Sequence, residues 1–230
     1  MPISFSHLTV TWADGTPCFT DLSGTFSSHF TGLVGANGSG KSTLAKVLAG
    51  LISPTTGTVS AGSVSYVDQD LGLHTSDTIA DVFGATKVLS AIARIEAGEY
   101  SEDLAAIVGE QWDLAERIEA SLNAAGIPFS LDRTIGTLSG GEAVTVALTA
   151  AFFRNPDFLI LDEPTNNLDA SSRKRLLELI RTSPMSVLVV SHDRELLEHA
   201  DSIAELYHGT LREFEGNYSA YRAAIDAEQD

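Results

Sequence analysis

The sequence predicts an α/β fold with a mostly parallel core sheet, an N-terminal antiparallel β layer and a helical subdomain. Three observations carry this. A short apolar strand at 31–34 runs into a glycine-rich loop and then into a helical period at Leu44, Val47, Leu48 and Leu51. Two further runs, 158–161 and 187–190, are continuously apolar, which suits strands of a parallel sheet covered on both faces. The first thirty residues instead alternate in polarity, as strands with one buried face do.

In chain order, Ile3, Phe5, Leu8, Val10 and Trp12 mark an early strand, Asp14-Gly15 a turn, and residues 22–26 a second short strand. The loop and helix at 35–51 follow, with Gly50 near the helix stop. Residues 58–67 are strand-like again, interrupted at Ala61-Gly62. From about 78 to 125 the pattern is mostly helical, with gaps at Gly84, Gly98 and Gly109. Between 96 and 119 this stretch carries eight acidic residues against one base, Arg117, which fits a solvated face. An apolar helix is expected at 143–153, a strand at 158–161, a helix from about 170 to 181 and a strand at 187–190. The sequence shows no internal repeat and no low-complexity tract.

The chain has 230 residues, with 31 Asp and Glu against 14 Lys and Arg, a formal charge of −17. This length suits one large domain, divided into a core of residues 1–75 and 155–230 and a helical subdomain at about 76–154. Hydrophobic residues make up 43%, enough to bury a core, so disorder is excluded for the bulk of the chain. The single cysteine, Cys18, leaves no intrachain disulfide. The start, MPISFSHLTV, has neither the basic nor the apolar segment of a secretory leader. The longest markedly apolar stretch, 143–153, has 11 residues. A membrane span needs about 20. A soluble, cytoplasmic chain without direct membrane insertion is expected. The acidity argues against a broad polyanion-binding face, which is built from Lys and Arg.

Three motifs carry chemistry. The first is Gly35-Ala36-Asn37-Gly38-Ser39-Gly40-Lys41-Ser42-Thr43, a phosphate-binding loop of the Walker A pattern. Glycines let backbone N–H groups converge on oxyanions, and the following helix turns its positive end the same way. Lys41 neutralises phosphate charge, and the Ser42 hydroxyl suits Mg²⁺, a hard ion that prefers oxygen. The second is the apolar strand ending in Asp162-Glu163-Pro164. It delivers two carboxylates to the strand end where open α/β sheets bind ligands. Asp162 is placed to hold Mg²⁺, and Glu163 to polarise an attacking water as general base. The third is Leu138-Ser139-Gly140-Gly141-Glu142, a helix start suited to an anion. The same residues also read as a capping box, Ser139 with Glu142 three positions on.

Together with Ser191-His192-Asp193 after a buried strand, these motifs, in this order, resemble the nucleotide-binding domain of the ABC ATPase superfamily over essentially the whole chain. The resemblance implies a phosphate-loop core, a helical subdomain bearing the signature 138–142, and bound ATP with Mg²⁺. It also implies head-to-tail pairing of two such domains with two ATP molecules between them. Trp12, twenty-nine positions before Lys41, matches the aromatic that stacks on adenine. Gln69 matches the glutamine that reaches Mg²⁺ and senses γ-phosphate, and His192 the switch histidine. Asp169 matches the D-loop aspartate that bridges the domains. Ser139, Gly140 and Gly141 would meet the nucleotide held by the partner domain. Two departures stand out. Glu142 replaces the usual glutamine, and Ala143-Val144-Thr145 follows where many relatives place a basic residue.

The stretch DEPTNNLD, the stretch SHDRELL and the tail Leu211-Arg212-Glu213-Phe214-Glu215-Gly216-Asn217-Tyr218-Ser219-Ala220-Tyr221 resemble the first domain of the F subgroup. Those are soluble proteins with two such domains that often act on ribosomes. The resemblance implies a Mg²⁺-dependent ATPase, slow as an isolated domain. Its partner is a second ABC ATPase domain, either a further half of the same protein or another copy. The ribosome is a candidate target through the full-length protein, and a transmembrane permease is the partner in the alternative reading.

Overall fold

The computed structural model describes residues 2–69, 73–166 and 168–229. They fall into two compact units, one within 1–69 and 155–230 and one within 70–154.

The first unit holds two sheets. In one, β1 (Ile3–Thr11) lies antiparallel between β2 (Pro17–Phe26) and β4 (Thr56–Ser60). The apolar positions of β1 change phase between Phe5 and Leu8. A bulge there, with His7 at φ 53°, resets the alternation, so Ile3, Phe5, Leu8 and Val10 are all buried. Its partner β2 bends likewise at Asp21 (φ 57°), whose carboxylate lies 2.6 Å from His7 Nδ1. The expected second strand at 22–26 thus begins earlier, at Pro17.

The other sheet has the order β5-β6-β7-β3-β8-β9. Its strands are β5 (Val64–Val67), β6 (Phe158–Asp162), β7 (Ser186–Val190), β3 (Phe30–Val34), β8 (Ser202–Tyr207) and β9 (Thr210–Glu215). All neighbouring pairs are parallel except the last. The stretch 58–67 therefore serves both sheets. It crosses between them at Ala61-Gly62, where Ser63 donates through its N–H and hydroxyl to Asp157 at 2.8 and 2.9 Å. The strand pair β8–β9 and helix α9 (Tyr218–Gln229) are elements that the sequence pattern alone did not mark.

Helix α1 (Lys41–Leu48) packs its Leu44, Val47 and Leu48 into a core shared with Phe5 and Phe26 of the antiparallel sheet and with Leu33, Phe158, Ile160, Leu188 and Leu206 of the parallel one. Helices α7 (Ala170–Thr182) and α8 (Arg194–Leu197) follow β6 and β7. The consequence for function is positional. The loop at Gly35, the pair Asp162-Glu163 and His192 all leave the C-terminal ends of adjacent parallel strands, where the strand order switches direction.

The second unit is helical: α2 (Ile79–Val82), α3 (Thr86–Glu96), α4 (Glu102–Val108), α5 (Leu114–Ala124) and α6 (Gly140–Phe153), with a 3-10 turn at Ile135–Thr137. Ile79, Phe83, Leu114, Ile118, Leu122, Ile127, Val146 and Ala150 form its core, and Ala91, Leu104 and Val108 a smaller cluster. Helix α2 opens with a capping box in which Thr78 and Asp81 satisfy each other's end of the turn. Among the described residues no helix is long and apolar enough to cross a membrane.

Candidate functional site

The loop between β3 and α1 is held tight by two glycines. A Cβ on Gly35 (φ 151°) would lie 2.5 Å from the Leu206 carbonyl oxygen. At Gly40 (φ 99°) it would meet Cys18 Sγ at 2.9 Å and Phe19. Close packing from outside and left-handed backbone inside leave room only for glycine. Ala36, Asn37 and Gly38 form the exposed lip, Ser39 and Thr43 are half-buried, and Ser42 is exposed on the first turn of α1.

Lys41 is buried, and its ammonium donates to the carbonyl oxygens of Gly35 and Ala36, both at 2.9 Å. Burial draws its pKa down, while the charges of Glu163 and Asp162 draw it back up. The cation therefore lies in the field of both carboxylates, at the centre of the strand ends.

Asp162, the last residue of β6, is 3% exposed. Tyr66 of β5 donates its hydroxyl to Asp162 Oδ2 at 2.9 Å. Among the described residues, Asp162 Oδ1 and Ser39 Oγ are buried without a hydrogen-bond partner. A buried carboxylate oxygen left unsatisfied is costly, and a hard cation answers that need. Asp162 and the Ser42 hydroxyl thus fit Mg²⁺ in their donor chemistry. No three His, Cys, Asp or Glu side chains among the described residues converge as a metal cage. Magnesium habitually pairs one or two protein oxygens with phosphate oxygens and water.

Glu163 follows in a left-handed conformation (φ 48°), rare for a residue with a side chain, and its N–H donates to the Val190 carbonyl at 2.8 Å. Burial raises its pKa, partly opposed by the nearby His192 ring and by the His192 N–H. His192 Nε2 stands 3.5 Å from Glu163 Oε1. The turn that carries His192 is fixed by Asp193, which accepts the N–H groups of Glu195 and Leu196 and pairs with Arg173 of α7 at 3.2 Å. Lys41, Asp162, Glu163 and His192 are thereby brought together.

The remaining expected residues are placed less centrally. Trp12 is 44% exposed at the end of β1. A cavity of about 610 Å³ borders the loop at Ala36–Ser39. Its other walls are Pro17, Cys18, Phe19 and Thr20 and the turn from Leu206 to Thr210, rather than Trp12. Gln69 is an exposed turn residue just beyond β5. Asp169 caps α7, accepting the Ser172 N–H at 2.7 Å. Asn167, part of the motif that suggested the subgroup, lies outside the described residues.

In the helical unit, Ser139 caps α6. Glu142 N–H donates to Ser139 Oγ at 3.3 Å, and the Ser139 N–H and hydroxyl both donate to Glu142 Oε2 at 2.8 Å. These two bonds hold the Glu142 carboxyl below its usual pKa, and the positive charge of Arg133 adds to them. Gly140 and Gly141 form the first turn, with Leu138 half-buried before it. Two residues beside these sites, Tyr66 and Arg133, lie outside every motif of the sequence. Tyr66 reads there as an ordinary strand aromatic. Arg133 supplies a basic group beside α6 although none follows Glu142 directly.

A strand, a phosphate-type loop and a helix, with a buried lysine and two carboxylates at neighbouring strand ends, define a P-loop nucleotide-binding domain. The chain belongs to the ABC transporter family, whose profile matches residues 20–166, and is an ABC ATP-binding domain. It is 33% identical over 226 residues to the energy-dependent translational throttle protein EttA of Mycobacterium tuberculosis, covering 86% of this chain and 40% of that protein. To ABC transporter F family member 5 of Arabidopsis thaliana it is 28% identical over 218 residues, covering 83% and 32%. The chain thus spans less than half the length of these two relatives. It is 30% identical over 223 residues to a Staphylococcus haemolyticus protein named for hemin import, the ATP-binding protein HrtA, covering 92% and 99%. The fold is that of solved ABC cassettes: the dimeric cassette MJ0796 superposes with a TM-score of 0.72 at 23% identity, covering 93% of this chain and 98% of that one.

Proposed function

We propose that this chain is the ATP-binding and ATP-hydrolysing domain of an F-type ABC ATPase, and that it works as a nucleotide-driven dimerisation switch. The observation that carries hydrolysis is the grouping of Lys41 and Glu163 with His192 3.5 Å from the Glu163 carboxylate. The α- and β-phosphates lie on the amides of 36–43, with Lys41 turned from its loop carbonyls onto the β- and γ-oxygens. Ser42 and Asp162 would hold Mg²⁺, with Gln69 beyond β5 reaching it as the family resemblance implies. When bound, the ion would supply neutralisation of the phosphate charge that in-line displacement needs. Glu163 accepts a proton from the water that attacks the γ-phosphorus, the bond from that phosphorus to the β–γ bridging oxygen breaks so that ADP leaves with the electron pair, and His192 fixes the γ-phosphoryl oxygens. Trp12 stacks on the base. A second ABC domain completes each site with its own Leu138, Ser139, Gly140, Gly141 and Glu142, while Asp169 lies at the domain junction. The dimeric state of the MJ0796 cassette supports such pairing.

The name and likeness of EttA support a role in translation, exerted through a longer protein that meets the ribosome. One observation favours a second reading, the motor subunit of a membrane transporter. HrtA is matched over 99% of its length, so a single domain of this size suffices there. Ribosome co-sedimentation of the full-length protein carrying Glu163→Gln separates the two. The F-type reading expects ATP-dependent pelleting with ribosomes, and the transporter reading expects none at any nucleotide condition. Glu163→Gln should also retain ATP binding while lowering phosphate release by about 100-fold or more, the scale of a lost general base. Unchanged release would remove Glu163 from that role.

A further inference from the structure

Asp162 has two oxygens in unlike surroundings, and Tyr66 makes the difference. In the parallel pair β5–β6, Tyr66 stands opposite Ile160. Asp162 is two residues further along β6, on the same face, at the diagonal position a tyrosine side chain can span. The phenol reaches it and donates to Oδ2 at 2.9 Å, while Oδ1 stays buried and unpartnered. The ring itself is braced. Lys46 of α1 lies over it at 5.8 Å and pairs with Asp68 at 2.9 Å, two positions along β5's own chain. Helix α1 begins in the phosphate loop, so the same brace ties β5 to that loop's helix.

We propose that Tyr66 is a positioning residue for the metal. By occupying Oδ2, its hydroxyl fixes the rotation of the Asp162 carboxylate and leaves Oδ1 as the oxygen presented to the divalent cation. The proposal rests on the nucleotide-site reading above and deepens it. Without the hydroxyl, the carboxylate is free to rotate, and Oδ2 becomes a second unsatisfied buried oxygen. The metal site is then less ordered before binding, while the amides and Lys41 that hold the phosphates are unchanged. Partners that orient a ligand in this way are commonly worth ten- to a hundredfold in metal affinity.

The test uses Mn²⁺ as a spectroscopic probe. Its binding to the nucleotide-loaded chain is followed by electron paramagnetic resonance, for the parent and for Tyr66→Phe. Nucleotide affinity is measured separately in the presence of chelator. The expected result is a rise in the half-saturating Mn²⁺ concentration of about tenfold for Tyr66→Phe, at the lower end of that range. Metal-free nucleotide affinity should stay within about twofold of the parent, because no phosphate contact is removed. Incorporating 4-aminophenylalanine at position 66, which keeps a donor in the same place, should bring the Mn²⁺ requirement back towards the parent value. An unaltered Mn²⁺ requirement in Tyr66→Phe overturns the proposal. So does an equal loss of nucleotide affinity with and without metal, or failure of the amino analogue to restore binding. If the parent itself binds no nucleotide under either condition, the underlying reading falls first.

Discussion

Glu163 combines a left-handed backbone with a carboxyl whose pKa burial has pushed up. Conformations of that kind cost on the order of 1–3 kcal/mol in a residue with a side chain and persist where surrounding structure imposes them. Here the Glu163 N–H bond to the Val190 carbonyl anchors that backbone. The raised pKa has a direct kinetic consequence. A general base works as the carboxylate, and Glu163 takes up its proton at a higher pH than an ordinary glutamate does. As pH is lowered, ATP turnover should fall with a midpoint above the usual glutamate value of about 4.3. A pH–rate profile that stays flat down to that value would show the base to be unperturbed or misassigned. The residues of this cluster were legible in the sequence because each sits at a motif position. Tyr66 was not, because its role depends on a diagonal across two strands far apart in the chain. The raised pKa was not legible either, since it arises from burial.

At the level of elements, the two uses of the α6 N-terminus are compatible. Ser139 and Glu142 close the capping box, and Gly140 and Gly141 occupy the first turn where free N–H groups remain. Ser139→Ala removes the cap and should lower unfolding stability by about 1 kcal/mol. Chemical denaturation of the two proteins measures it, and equal midpoints would mean that the cap contributes nothing. Within the core, β6 and β7 were readable from uninterrupted apolar runs at 158–161 and 187–190 and α1 from the helical period after Lys41, whereas β8, its apolar run broken by Glu205, was not. The antiparallel layer was readable as alternation, but its bulges at His7 and Asp21 were not, since they appear only as a one-residue phase slip. The edge strand β9 and helix α9 carry only a weak sequence pattern for a different reason. Only one side of each is covered, and Arg212, Glu213 and Glu215 dilute the apolar signal that marks a buried strand.

For the whole molecule, charge and composite-site logic point the same way. Each chain carries a formal −17, so two copies repel at low salt. If hydrolysis needs a partner's signature helix, turnover per chain should climb with protein concentration. At a fixed low concentration it should also climb when ionic strength is raised from about 0.02 to about 0.2 M, as screening shortens to roughly 7 Å. Turnover independent of both variables would mean that a single chain suffices. Family membership was legible from the order of motifs alone. The partner was not, because a domain of this kind presents the same nucleotide machinery whether it serves a ribosome-directed protein or a transporter.

The most direct test of the nucleotide cradle is a calorimetric titration of the parent chain and of Lys41→Ala with ATP and Mg²⁺. Loss of charge-assisted bonds to phosphate should weaken binding by about 10- to 100-fold in Lys41→Ala. Equal affinities for the two proteins would place the triphosphate somewhere other than the loop that begins at Gly35.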